Sequence, residues 1–222
     1  MSKVVIDIET VGFNFDSYDQ KSREYLLKYA QTEEERSDMK NRLAFYPLTG
    51  EVVTIGMLNP DTGRGIVFFQ DKGIGIEKFE KEGIVYEAGS EKEILEKFWD
   101  LVKTYKQIIT FNGRTFDLPF LMLRSAINKV RTSRNFMSYR YDAREHCDLL
   151  DQLTFYGASR RFSLDFYAKS FGIKSSKEEG VDGSMVGEMY KEQKYLDVAY
   201  YCARDLRTTK ELYEYWNRYL RF

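Results

Sequence analysis

The sequence of 222 residues predicts an α/β fold with a central mixed sheet flanked by helices. Three observations carry this. Val4, Val5 and Ile6 form an apolar run that reads as a buried strand. Residues 51–58 and 65–70 are two further β-rich runs bounded by turn residues, which makes three early strands joined as an antiparallel meander. Residues 107–128 then form a strand–loop–helix passage, the unit from which α/β sheets are extended. The expected sheet has five or more strands.

The elements follow in order. Residues 13–45 are highly charged, with Tyr25, Leu26, Leu27, Tyr29 and Ala30 at roughly helical intervals, so a helical insertion is expected near 16–45. Residues 16–40 hold seven acids against five bases, which favours a solvated helix face over a partner site. Residues 84–86 are a weaker strand candidate. Ser90 caps an amphipathic helix carrying Ile94, Leu95, Phe98, Leu101 and Val102. Order resumes near Arg144 as a last strand running into a helix. Ser163 and Gly172 bracket a further helix, and residues 173–187 read as a loop. Residues 195–219 form a long amphipathic helix, with Leu196, Ala199, Ala203, Leu206, Leu212 and Trp216 along it.

Composition narrows the function. The length fits one domain, 1–222, with no internal repeat and no linker. A net charge of −1 excludes a protein that coats nucleic acid by bulk electrostatics, so any such contact must be local. Cys147 and Cys202 lack metal-ligand spacing and read as buried thiols in a reducing compartment. With no charged leader and no run of about eighteen apolar residues, the expected location is the cytoplasm, without a membrane.

Three acidic signatures stand out. Asp7 and Glu9 end the first strand and project to one side of it; Asn112, Phe116 and Asp117 lie in the strand-to-helix loop; Tyr201 and Asp205 share one face of the last helix. Four carboxylates brought together without a cation repel and raise one another's pKa values, a conflict that divalent ions resolve. Carboxylate and phosphate oxygens suit Mg²⁺ or Mn²⁺. Two such ions about 3.5–4 Å apart can stabilise both the attacking and the leaving oxygen of a phosphodiester.

In order, spacing and context, these signatures resemble the DEDD superfamily of 3′-to-5′ exonucleases. The tyrosine-bearing branch is indicated, close to stand-alone relatives of the proofreading domain of family-B DNA polymerases. The sister branch has a histidine in the third motif, where this chain has Tyr200 and Tyr201. The resemblance implies a ribonuclease H-like fold and a metal-dependent exonuclease releasing 5′ mononucleotides from single-stranded or frayed DNA. It implies that Asp7 bridges two metal ions, that Glu9 and Asp205 hold the one carrying the attacking water, that Asp117 supports the other, and that Tyr201 orients the water. An RNA exonuclease and a catalytically silent nucleic-acid-binding module are the alternatives. Proofreading would require a separate polymerase or repair partner.

Around the acids lie substrate-binding candidates, each with a structural alternative. Thr10 can meet the terminal 3′ hydroxyl or form a turn; Asn112 can bond substrate or its own turn; Phe116 can stack on a base or join the core. Arg131, Arg134 and Arg140 belong to a basic loop, 129–144, interleaved with Phe136, Tyr139 and Tyr141, a pattern that holds single strands without reading sequence. Arg160 and Arg161 can extend it. His146, the only histidine, reads as a hydrogen-bonded strand-end residue, and Asp148 as a cap.

Overall fold

The computed structural model describes residues 2–175, 177, 180 and 182–221. β1 (Lys3–Gly12), β2 (Gly50–Leu58) and β3 (Gly65–Phe69) form the antiparallel run expected from the sequence. β4 (Phe79–Lys81) and β5 (Ile84–Ala88) lie beyond β3, while β6 (Gln107–Thr110) and β7 (His146–Asp148) extend the opposite side. The strand order is β4-β5-β3-β2-β1-β6-β7. β1 pairs antiparallel with β2 and parallel with β6, and β5 runs parallel to β3, so the sheet is mixed.

Each sheet face has its own core. On one face Val4, Ile6 and Ile8 pack with Ile94, Leu95 and Phe98 of α3 (Glu91–Val102) and Leu118 and Leu121 of α4 (Asp117–Ile127). On the other, Val5 and Val11 pack with Val198, Ala199 and Leu206 of α8 (Tyr195–Tyr219), supported by α6 (Leu164–Ser170) and α7 (Val186–Lys191). Side chains alternate along a strand, which assigns Asp7 and Glu9 to the α8 face together with Val5 and Val11. Ser90 opens α3 with a reciprocal capping box to Glu93, and Ser163 caps α6.

The structure differs from the sequence pattern in three places: β1 continues to Gly12, so Asp7 and Glu9 lie within the strand rather than at its end, and β4 and α7 are not expected from it. The segment between β1 and β2 is helical, with α1 (Gln20–Leu26), α2 (Glu33–Asn41) and a 3₁₀ turn over Arg42–Phe45. Neither α1 nor α2 buries a residue and Tyr25 and Tyr29 are exposed, in keeping with the solvated helix face read from the sequence. β4 is an additional strand with no sequence signal, because three residues show no period. α7 falls partly in the stretch read as a loop, of which residues 176, 178, 179 and 181 lie outside the described residues. Among the described residues, no helix is long and apolar enough to cross a membrane.

The packing of α8 on the sheet is unusually close at one point. Gly56 sits opposite Asp7 on β2, and a Cβ there would lie 2.6 Å from Cys202 Sγ and 2.6 Å from Leu206 Cδ1. A glycine inside a strand often marks such an approach. Gly56→Ala is therefore expected to push α8 outward and lower stability by about 2 kcal/mol, as overpacking does, measurable by urea unfolding.

Candidate active site

The site begins where β1 loses its parallel neighbour. β6 accompanies β1 only over Lys3–Val5. Beyond that point the edge of β1 is open, and the backbone N–H of Ile8, between Asp7 and Glu9, donates to Asp117 Oδ1 at 3.1 Å. Asp117 reaches this gap because the chain turns sharply after β6. Asn112 adopts a left-handed φ of 65°, and a Cβ on Gly113 would lie 2.5 Å from Thr110 Oγ1, so only glycine fits there.

Asp148 holds the turn in place. Its carboxylate accepts the N–H groups of Asn112 (2.9 Å), Arg114 (2.9 Å) and Leu150 (3.0 Å), which fastens the turn to β7 and caps α5 (Leu149–Leu153). This is the capping role read from the sequence.

α8 supplies the third side. Tyr201 and Asp205 are one turn apart, and the Tyr201 hydroxyl donates to the Asp205 carboxylate. Cys202 lies beside them, its thiol 3.7 Å from the Asp7 carbonyl oxygen that accepts it. Ligand atoms of Asp7, Glu9 and Cys202 fall within 4.8 Å of one another. Cys202 is a site neighbour that no sequence motif marks. The strand-interior Gly56 facing it was the available signal.

The electrostatics are one-sided. Burial, then Asp205 and Asp117, push the Asp7 carboxyl well above the usual carboxylate range. Burial, then Asp7, Asp205 and Asp117, do the same to Glu9. Burial moves Asp117 up to about 7, aided by the Asp148 and Asp205 charges and partly offset by hydrogen bonds, including that from Ile8. Among the described residues, every charge shifting Asp7 and Glu9 is another carboxylate. Asp7 Oδ2 is buried with no hydrogen-bond partner.

A cation fits this arrangement, because the carboxylate oxygens are hard donors suited to Mg²⁺ or Mn²⁺. The Cys202 thiol, raised by burial, donates to the Asp7 carbonyl, and its soft sulfur is a poor match for the hard cations that the carboxylates suit. Burial and the Asp205, Glu9 and Asp7 charges likewise push the Tyr201 hydroxyl up, so it remains a donor at neutral pH.

Several substrate-binding candidates have structural partners instead. The Thr10 hydroxyl donates to Ala44 O at 2.7 Å, tying β1 to the 3₁₀ turn. Arg134 donates to the carbonyls of Tyr105 and Lys106, both at 2.8 Å, beyond the end of α3. Arg140 grips Asp151 through two nitrogens, at 2.9 and 2.5 Å. Phe136 is buried against Trp99. With Arg144 bonded to Asp142 inside the loop, the basic loop thus uses three of its arginines and one of its aromatics to hold its own shape. Arg131 is exposed. The Asn112 carboxamide oxygen accepts from Thr115 Oγ1 at 2.6 Å, the turn-forming role. Phe116 is half-buried, between Phe45 and Phe120.

Residues 64–221 match a family model described as a predicted 3′–5′ exonuclease related to the exonuclease domain of PolB. The chain belongs to this family. The match includes the Asn112–Asp117 and Tyr201–Asp205 signatures, while Asp7 and Glu9 lie before it. Similar curated proteins include a DNA polymerase 1 of Sulfolobus acidocaldarius, 23% identical over 75 residues, and one of Sulfurisphaera ohwakuensis, 26% identical over 74 residues. Each alignment covers 33% of this chain and only 9% and 8% of the respective polymerase. A family B DNA polymerase structure from Pyrobaculum calidifontis matches 97% of the chain with a TM-score of 0.60 at 20% identity. The chain spans 24% of that polymerase, and the likeness establishes the ribonuclease H-like fold of a PolB-type exonuclease domain.

His146 lies outside the acidic cluster. Its Nε2 is 2.9 Å from Thr110 Oγ1, and burial, with the Arg114 charge, lowers its pKa to about 3. A histidine held neutral in the fold contributes stability above the unfolded-state pKa near 6.5. That contribution is lost as pH falls towards 3, because the unfolded chain takes up the proton first. Stability should fall across this window with a slope of up to about 1.4 kcal/mol per pH unit from this group. Denaturant titrations should show a shallower fall for His146→Gln.

Proposed function

We propose that this protein is a metal-dependent 3′-to-5′ exonuclease that removes 5′ mononucleotides from single-stranded or frayed DNA. The observation supporting the reading is the elevation of Asp7, Glu9 and Asp117 by burial and then by neighbouring carboxylates, with Asp205 acting on all three and one Asp7 oxygen left without a partner. A site of this kind is unfavourable until positive charge enters it.

Asp7, Glu9, Asp117 and Asp205 would hold two divalent ions. When bound, such ions neutralise the carboxylates, attract the phosphate and make water acidic enough to supply the nucleophile near neutral pH. The chain's own groups prepare the geometry. The Ile8 N–H fixes one oxygen of Asp117 and with it the orientation of the carboxylate. Tyr201, a protonated donor, holds Asp205 through its hydroxyl and would orient the attacking water. A tyrosine with a raised pKa is a poor base, so its task is alignment.

The test is an assay with end-labelled DNA and RNA, single- and double-stranded, in Mg²⁺ or Mn²⁺ and in chelator. Expected is stepwise shortening from the 3′ end, fastest on single-stranded DNA and absent in chelator. Asp7→Ala and Asp205→Ala should each lower turnover by at least about a hundredfold, more than loss of an outer-shell partner, and Tyr201→Phe by less. Equal losses in all three would refute the aligning role, and metal-independent or absent cleavage would refute the enzyme.

A second expectation concerns the fold. Millimolar Mg²⁺ or Mn²⁺ should raise the melting temperature, since ions bind the assembled cluster better than the unfolded chain. Asp7→Asn should raise it in chelator by relieving repulsion and should abolish the response to metal. Differential scanning fluorimetry reads both.

A further inference from the structure

The surface beyond α5 has no part in the cluster of acids, yet it is built as a distinct feature. From Thr154 the chain runs through Phe155 and Tyr156, both at left-handed φ (50° and 58°), and Gly157 at 98°. Two adjacent non-glycine residues in this conformation are costly and persist only where the surroundings enforce them. Here Thr154 is fully buried, Tyr156 N–H donates to Asp151 O at 2.7 Å, and Ser159 N–H donates to Thr154 O at 3.0 Å. The result of this constraint is an exposed ring, since Phe155 is 61% accessible.

Further rings continue on either side. Tyr156 packs against Tyr141 at 4.7 Å, and Tyr141 against Tyr139 at 5.5 Å; Tyr139 is 73% exposed. Phe162 stacks on Phe166 at 4.6 Å with planes 13° apart, and Phe166 is 53% exposed. Through Tyr167 these rings reach Phe111, the residue before Asn112 in the acidic-site turn. On the other side Arg114 of that turn donates to Ser138 O at 3.0 Å, beside Tyr139. Both ends of the aromatic surface are therefore fastened to the turn that delivers Asp117.

The charge on this surface is positive. Residues 154–163 contain Arg160 and Arg161 and no acid. Arg160 lies over the Phe162 ring at 5.0 Å. Arg161 stands 3.7 Å from Asp151, which Arg140 already holds with two bonds. The nearby acid Asp165 is taken by Lys169 and Ser175. Exposed rings beside guanidinium groups in excess over acids match single-stranded nucleic acid, whose bases stack and whose phosphates need cations, and they do not require sequence readout.

We propose that Phe155, Arg160, Arg161, Phe162 and Phe166, continuous with Tyr139 and Tyr141, form the track along which a single strand lies as its 3′ end enters the acidic site. The proposal rests on the nuclease reading for its direction, but the track itself is a binding surface that can be tested separately. It replaces Arg134 and Arg140, both held within the chain, with the Arg160–Arg161 pair as the phosphate contacts.

Binding of a fluorescein-labelled oligo(dT) of twenty nucleotides, followed by anisotropy in chelator, tests the track without catalysis. The double variant Arg160→Ala/Arg161→Ala should weaken binding about tenfold at low salt and reduce the slope of log affinity against log salt by about 1.4, at about 0.7 for each phosphate no longer neutralised. Phe166→Ala should weaken it about tenfold with the salt slope unchanged. In the metal-dependent assay, both variants should lower kcat/KM about tenfold on the twenty-nucleotide strand and less than twofold on a dinucleotide too short to reach the track. Wild-type affinity and salt slope in the double variant would overturn the proposal, as would equal losses on long and short substrates. So would binding confined to a protein partner, with no affinity for the oligonucleotide. If wild type binds the strand through these residues but cleaves nothing, the track stands and the nuclease reading falls.

Discussion

The hydrogen bond from Ile8 N–H to Asp117 joins the two halves of this molecule. Ile8 belongs to an inner strand, β1, and Asp117 opens a helix that follows a different strand, β6. Their contact depends on β6 stopping short, which leaves a backbone donor at the edge of β1 with no ladder partner. A buried donor of this kind must be satisfied. Satisfying it with a carboxylate draws a third acid to the pair Asp7 and Glu9, and α8 completes the ring with Asp205. The cost is a concentration of like charge in a buried place, with carboxyl groups held well away from their ordinary pKa values.

Most of the architecture was legible because its main elements are long or strongly patterned. β1, β2, β3, α3 and α8 all carry unambiguous periodicity or capping signals, and Ser90, Ser163 and Gly172 act as their residue types suggest. β4 and α7 were not legible, because three and six residues are too few to establish a period against a polar background. The apolar residues of α1 lie on the solvated face that the charge balance favoured. Spacing shows which residues share a face but not whether anything lies opposite, and no partner buries that face.

The four acids singled out in the sequence come together in one cluster. The substrate-binding candidates were harder. An arginine in a basic loop looks the same whether it faces a phosphate or a carbonyl, and Arg134 and Arg140 found carbonyls and a carboxylate within the chain. Thr10 was ambiguous in the same way, its hydroxyl reaching Ala44 across the insertion. Residues such as Cys202 become visible only when α8 is laid on the sheet, since Gly56 and Cys202 are far apart in sequence and meet solely through that packing.

The distance between the two ends of the site has a consequence for biosynthesis. Cys202 and the Asp7 carbonyl, which it meets directly, are separated by 195 positions in the chain. Asp7 therefore leaves the ribosome well before Cys202 and Asp205 do. At translation rates of about 5–20 residues per second, that interval is on the order of ten to forty seconds. During this time β1 can pair with β2, but the acidic ring lacks its α8 side. The nascent chain is thus without the complete cluster until α8 has been released and docked, so the long sequence separation delays assembly of the cluster.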